Sequence, residues 1–261
     1  MVQYLMDTII LLNKKPGLTP LACLNTFKEA YPEYKSTTLS YAGRLDPMAE
    51  GLLLILVNEE NKKRELYQSL EKEYTFSILF GVATDTYDVM GRITQTAKPN
   101  LSSVSKALPL LLSKTQKLRV QQYPPFSSKT VQSKPLYWWA REKRLHEITI
   151  PSHPITITSL SLQELKEKKG QEVATEAIVN IQKVFGEFRQ KEILKDWQEF
   201  KTTNANFPFP TATCTITCSS GTYVRSICHE LGEALGCGAI ATSIKRTRIG
   251  TYTLDHALNL P

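Results

Sequence analysis

Most of the features that mark a cofactor enzyme, a secreted domain or a membrane protein are missing from these 261 residues. There is no glycine-rich loop of the Walker or dinucleotide-binding type, so no nucleotide cofactor is expected. No CxxC pair occurs, and the five cysteines (Cys23, Cys214, Cys218, Cys228 and Cys237) are odd in number. They read as reduced, mostly buried thiols, and no metal site is expected. Apolar runs are short: residues 52–57 fall far below the ~20 residues needed to cross a bilayer. The N-terminal residues show no basic region leading into an apolar stretch and a small-residue cleavage site. A cytoplasmic location and no membrane partner are therefore expected. No internal repeat and no low-complexity tract is present.

Hydrophobic residues make up 41%, charged residues 22% and aromatics 9%, the balance of an ordinary globular chain with a sizeable core. The net charge is +7, which favours polyanionic partners. Residues 113–146 hold eight Lys/Arg and one acid, an excess equal to that of the whole chain. The same stretch carries Tyr123, Phe126, Tyr137, Trp138 and Trp139. Cations neutralise phosphates and aromatic faces stack on unpaired bases. At least one of the two tryptophans reads as core instead.

Strands are expected at residues 8–12, 52–57, 72–80, 155–161 and 211–218, and a strand or hairpin at 242–254, from apolar runs or period-two alternation. In 72–80, Tyr74, Phe76, Ile78 and Phe80 share one face. Cys214 and Cys218 share a face with Ile216. Helices are expected over 19–31, with Thr19 as cap and Pro20 in the first turn, and over 222–235, ended by Gly236. The spacing predicts a further short helix over 102–112, with Pro109 counting against it. Residues 172–200 are helical in pattern, with a second short helix through Leu194, Trp197 and Phe200. Residues 36–51 form a structured loop and 204–210 a linker. Strands interspersed with helices, without a regular βαβ period, predict an α+β (mixed α/β) fold: a mainly antiparallel mixed sheet flanked by helices.

The most informative stretch is Tyr41-Ala42-Gly43-Arg44-Leu45-Asp46-Pro47-Met48-Ala49-Glu50-Gly51. It places one acid between turn glycines, directly before a buried strand, where a rigid scaffold commonly holds catalytic groups. On spacing alone the plainer reading, a turn initiated by Asp46-Pro47, is favoured.

This stretch resembles the catalytic motif of the TruB family of tRNA pseudouridine synthases, GHTGTLDPxAxGxL. Gly43, Leu45, Asp46, Pro47, Ala49, Gly51 and Leu53 stand in matching places. Four further blocks resemble the family in order: Lys14-Lys15-Pro16-Gly17-Leu18-Thr19; Lys72-Glu73-Tyr74 with Gly81, Thr84, Asp85, Thr86, Asp88 and Gly91; Tyr123 to Lys129 with Tyr137, Ala140 and Arg141; and Cys218 to Ser226 with Leu231-Gly232. Together they span about residues 9 to 254, and five blocks in order are very specific.

The resemblance implies a pseudouridine synthase fold with a central RNA-binding cleft. The expected organisation over 1–261 is a single catalytic domain, with a mobile thumb-like RNA-binding segment at about 120–150 and a helical insertion at about 170–205. The family commonly ends in a small PUA domain. The chain stops near the expected edge of the catalytic domain, so none is expected. By resemblance, Asp46 is the catalytic carboxylate, Tyr74 packs on the target base, Tyr223 lies beside the catalytic centre and Arg225 pairs with the aspartate. Lys15 and Lys129 match positions near the RNA. Tyr41, Arg44, Lys134 and Arg141 complete the expected RNA-binding set.

The implied reaction turns uridine into pseudouridine at position 55 in the tRNA T-loop, with the base flipped out. The expected partner is the T-arm, and the protein is expected to act as a monomer. Bond isomerisation needs no redox change or energy source, so no cofactor is expected. Five departures from the family stand out. Tyr41 and Ala42 replace His and Thr, Arg44 replaces a small residue or Thr, Ser128 replaces Ala, and the thumb glycine near Ser133 is missing. They keep a second reading open, the same chemistry on another structured RNA. A non-catalytic RNA-binding or folding protein is the third.

Overall fold

A computed structural model describes residues 8–260. Residues 1–7, where an export signal would begin, and residue 261 lie outside the described residues. The chain opens with β1 (Ile9–Lys14), α1 (Pro20–Ala30), β2 (Leu39–Ala42), β3 (Glu50–Val57), α2 (Arg64–Ser69) and β4 (Lys72–Phe80). It continues through β5 (Val82–Thr84), β6 (Ile93–Thr96), α3 (Leu101–Gln116), β7 (Val120–Gln122), β8 (Thr130–Val131), β9 (Lys134–Pro135), α4 (Leu136–Arg141) and β10 (Ser152–Pro154). The rest is β11 (Ile157–Lys169), α5 (Gly170–Gln182), α6 (Gln190–Asn204), β12 (Pro208–Cys218), α7 (Val224–Ala234), β13 (Ala239–Ile249), β14 (Tyr252–Thr253) and β15 (Leu258–Asn259).

One sheet organises the molecule, in the order β11-β12-β4-β13-β3-β1-β15, with β2 on β3 and β14 on β13. Its pairs are antiparallel except β13 with β3 and β1 with β15. This is the mixed, mainly antiparallel α+β sheet that the sequence pattern predicts.

Alternation decides which layer each strand side chain joins. Phe76, Ile78 and Phe80 of β4 meet Cys214, Ile216 and Cys218 of β12, under α3 and α7. Leu79, Phe209 and Ile240 belong to the opposite layer, covered by Val173, Ala177, Ile178 and Ile181 of α5 and by Ile193, Trp197 and Phe200 of α6. The α5–α6 pair is therefore the lid of a sheet face that would otherwise expose apolar surface. A third cluster packs Cys23, Leu24 and Phe27 of α1 on β1 and β3. All five cysteines are buried and unpaired.

Two elements outrun their local signal. Helix α3 runs to Gln116, past the expected end near residue 112, with Pro109 inside it on the exposed side. An interior proline costs about 3 kcal/mol. Val104, Leu108 and Leu112 on the inner face are nearly fully buried, each stabilising by about 1.5–3 kcal/mol, and their sum exceeds that cost. Strand β11 runs to Lys169, beyond the expected 155–161. Its second half, LQELKEKK, has a weak apolar pattern because β11 is an edge strand. The ladder with β12 holds it instead, from Leu162↔Cys214 to Lys169↔Pro208. Edge strands carry charge without penalty. The expected linker 204–210 is shorter, since β12 begins at Pro208. The expected loop 36–51 includes β2.

Candidate active site

Asp46 lies in the turn between β2 and β3. The turn closes on a 3.0 Å bond from the Ala49 N–H to the Asp46 carbonyl. Three buried cations surround its framework, and each uses its donors mainly on backbone carbonyls. The Lys14 ammonium donates to the carbonyls of Ala49 (2.5 Å), Pro47 (3.2 Å) and Lys15 (3.2 Å). Arg246 donates from Nε to Leu52 (2.7 Å), from Nη1 to Arg44 (3.2 Å) and from Nη2 to Gly43 (3.4 Å). Lys72 donates to the carbonyls of Gln68 and Leu70. Burial pushes both lysine ammonium groups down to about 8. Gly51 completes the anchor. It has φ +100°, and a Cβ there would sit 2.3 Å from the Arg246 carbonyl oxygen, so only glycine lets β3 and β13 approach so closely.

Arg225, in the first turn of α7, reaches this loop across 179 residues of sequence. Its Nε donates to Asp46 Oδ2 at 2.6 Å, and its Nη2 lies 3.5 Å from Oδ1. Nη1 donates to the Thr86 carbonyl (2.5 Å) and Nη2 to the Phe126 carbonyl (3.4 Å). One planar fork thus joins four segments, which a lysine could not do. The guanidinium side chain is 4% exposed, whereas that of Asp46 is 42% exposed. The acid faces solvent and its partner does not.

A second carboxylate shares the guanidinium. Asp88 Oδ2 lies 3.7 Å from Arg225 Nε. Asp88 Oδ1 accepts from the Thr86 hydroxyl (2.6 Å) and the Met90 N–H (2.9 Å). Burial pushes its carboxyl up to about 6, against the opposing pull of Arg225. Two tyrosines complete the surroundings. Tyr74 projects from β4 beside Arg246, and Tyr223 precedes α7. Burial raises both phenols, and the charge of Asp46 adds to the shift in each. The Tyr223 ring lies 6.0 Å from the Arg225 guanidinium. Gln121 of β7 holds the Tyr223 backbone with two bonds, accepting from its N–H (2.8 Å) and donating to its carbonyl (3.2 Å).

The structure brings Asp46, Arg225, Tyr74 and Tyr223 together. The expected RNA-binding cations sit farther out. Lys15, Arg44, Lys129, Lys134 and Arg141 are all exposed. Lys129 lies 5.3 Å over the Tyr123 ring, and Lys134 lies 5.2 Å over Trp138. Trp139 is core, donating to the Val131 carbonyl at 3.1 Å, while Trp138 is half-buried. Tyr41 takes a different place: it leans on the α1 cluster with the Arg64 guanidinium 5.7 Å over its ring.

Arg246, Asp88, Gln121 and Arg189, whose guanidinium pairs with Asp85 at 2.7 Å and lies 4.5 Å over the Phe126 ring, are not among the expected site residues. Arg246 had a readable signal, because it keeps the inward parity of Ile244 along β13. Asp88 stands in a matching block but carried no assigned role. Nothing local marks Gln121 or Arg189. Among the described residues no cluster of His, Cys, Asp and Glu is arranged to hold a metal ion. No described helix is long and apolar enough to cross a membrane.

Residues 33–183 match the model of the TruB family pseudouridylate synthase (N terminal domain). The chain belongs to the TruB family of pseudouridylate synthases. It is 30% identical over 257 residues to the tRNA pseudouridine synthase B of Syntrophus aciditrophicus (strain SB), covering 98% of this chain and 66% of that protein. It is 28% identical to the enzyme of the same name from Aquifex aeolicus (strain VF5), covering 98% of this chain and 72% of that one. For Tolumonas auensis the values are 32%, 97% and 63%. The chain spans about two thirds of the length of these curated relatives. The fold resembles a crystal structure of a Cbf5-Nop10-Gar1 complex, with TM-score 0.57, 16% identity, and coverage of 97% of this chain and 52% of that one. It also resembles an H/ACA RNP bound to a substrate RNA containing 2'-deoxyuridine, with TM-score 0.53, 16% identity, and coverage of 97% and 50%.

Proposed function

We propose that this TruB family member isomerises uridine to pseudouridine in the T-loop of tRNA, at position 55, with Asp46 as the catalytic carboxylate. The observation that carries this reading is the pair itself: a solvent-facing carboxylate held at 2.6 Å by a buried guanidinium. In the reaction the C1′–N1 bond of the nucleotide breaks, the uracil turns, C5 bonds to C1′, and the C5 proton is released to water as N1 gains one. Asp46 either attacks C1′ or removes a proton from the sugar to assist departure of the base. Either role needs an open approach to an ionised oxygen whose direction is fixed, and Arg225 supplies that direction.

In this reading Tyr74 packs on the extruded uracil and Tyr223 flanks the sugar. Extruding a stacked base costs a few kcal/mol. The exposed cations and aromatics of residues 113–146 offset this by neutralising phosphates and stacking on bases. In this reading 1–261 form one catalytic domain, residues 120–150 grip the RNA, and the protein works as a monomer in the cytoplasm without a cofactor.

Tyr41 supports a second substrate reading. It stands where the family has His and lies under Arg64. The same chemistry on another structured RNA with a T-loop-like hairpin accommodates that change. Tritium release from [5-³H]uridine-labelled tRNA, compared with other RNAs, separates the two. No release from tRNA removes the leading version. Asp46→Asn is expected to abolish release while tRNA binding stays within about 2-fold, since the change keeps shape and removes charge from a half-exposed site. Product formation unchanged by Asp46→Asn would leave a non-catalytic role for this residue and refute the assignment.

A further inference from the structure

The tip of the α5–α6 hairpin carries an aromatic ring that no packing requirement explains. Its three large apolar side chains divide unequally. Val184 is buried and Phe188 is partly buried, both in the layer under the sheet. Phe185 is 75% exposed, the most exposed large apolar side chain among the described residues. The tip itself is firmly built. Gln190 accepts from the Phe188 N–H (2.7 Å) and donates to the carbonyls of Gly186 (2.5 Å) and Val184 (3.2 Å).

The tip is also tied to several of the segments around Asp46. The Phe185 N–H donates to the Gly17 carbonyl (3.0 Å), and the Gly17 N–H donates to the Pro47 carbonyl (2.8 Å), one residue from Asp46. Arg189 pairs with both oxygens of Asp85, at 2.7 and 3.1 Å, and its guanidinium lies 4.5 Å over the Phe126 ring. Arg141 donates to the Glu187 carbonyl at 3.4 Å. Exposed Lys15, Arg141 and Lys183 surround the tip, with Glu187 as the acid among them.

A rigid exposed ring among cations, on the rim of the site, has the chemistry of a base-stacking platform. Its fixed mounting lowers the ordering cost of binding. We propose that the α5–α6 tip is a further contact for the substrate RNA, with Phe185 stacking on an unpaired base and Lys15 and Lys183 neutralising adjacent phosphates. This rests on the tRNA reading above.

The test measures the Kd of unmodified tRNA and the single-turnover rate at saturating enzyme for the full chain. Phe185→Ala is expected to raise Kd about 5-fold or more, the lower end of base–aromatic stacking, with the saturating rate unchanged. Phe185→Trp is expected to keep the original Kd. Lys183→Gln is expected to flatten the slope of log Kd against log salt by about 0.7–0.9, one released counterion. A Kd for Phe185→Ala within 2-fold of the original, as when a protein partner uses this face instead, overturns the proposal. Equal losses in the Ala and Trp variants overturn it as well. Failure of the unsubstituted chain to release tritium from tRNA strikes the functional reading instead, and the binding arm still reports on Phe185.

Discussion

Arg225→Met removes one guanidinium from two carboxylates that differ in exposure, and the difference makes its effect depend on pH. Asp46 is 42% exposed on its side chain, so water replaces much of the lost partner, at a cost under about 1 kcal/mol. Asp88 is 10% exposed on its side chain, and even beside Arg225 burial lifts its carboxyl from the ordinary 3.8 to about 6. A carboxyl raised in the folded state contributes stability while protonated. That contribution is full below about pH 4 and is lost as pH rises through the folded value.

In the unsubstituted protein the loss levels off near pH 6, after about 3 kcal/mol at about 1.4 kcal/mol per unit. Without Arg225 the carboxyl rises further, and stability keeps falling above pH 6 by up to about 1.4 kcal/mol per pH unit. The variant therefore falls progressively below the parent from about pH 6 upward, by an amount on the order of 1–3 kcal/mol at pH 8. The orphaned carbonyls of Thr86 and Phe126 add a further loss of about 1–3 kcal/mol that does not vary with pH. Urea unfolding at pH 5, 6, 7 and 8 measures this. Stability curves that run parallel from pH 6 to 8 would refute the reasoning. Adding Asp88→Asn to Arg225→Met is expected to abolish the divergence.

Three further outcomes are expected. Arg246→Gln strands up to three backbone carbonyls, so it should cost about 3 kcal/mol in urea unfolding and lower the turnover rate more than it weakens RNA binding. Gly51→Ala should cost more than about 2 kcal/mol, because φ +100° and a 2.3 Å approach to the Arg246 carbonyl both oppose a Cβ; soluble yield and urea midpoint report it. Arg189→Gln should lower the saturating single-turnover rate while Arg189→Lys restores only part of it, since Asp85 is held by a fork; equal rates in all three proteins would contradict this.

Local pattern exposed those parts of the fold whose two faces differ. KEYTFSILF alternates because one face of β4 meets α3 and α7, and its bounds match the strand observed. The second half of β11 was silent because its partner strand, rather than its own residues, dictates its conformation. Pro109 misled for a related reason: helix interior rules are local, whereas the burial of Val104, Leu108 and Leu112 is tertiary. The candidate site divides the same way. Asp46 and Arg225 are far apart along the chain, and no periodicity links them. Only the ordered blocks resembling TruB did so. The inward parity of Arg246 is legible along β13, but Lys14 and Arg246 act on backbone carbonyls, which look alike in every sequence, so no local pattern names their partners. Tyr41 could be named from its motif position, but its neighbour Arg64 lies in a separate helix and had no mark in the sequence.

The separation of 179 residues between Asp46 and Arg225 carries a consequence for how the protein comes into being. During synthesis the acid emerges before the intervening residues are made, and its counter-charge follows only when α7 leaves the ribosome. No nascent fragment ending before α7 holds the assembled pair. The pair therefore forms only once α7 has been made, and a cut anywhere between the two that lets the halves part dismantles it at one stroke.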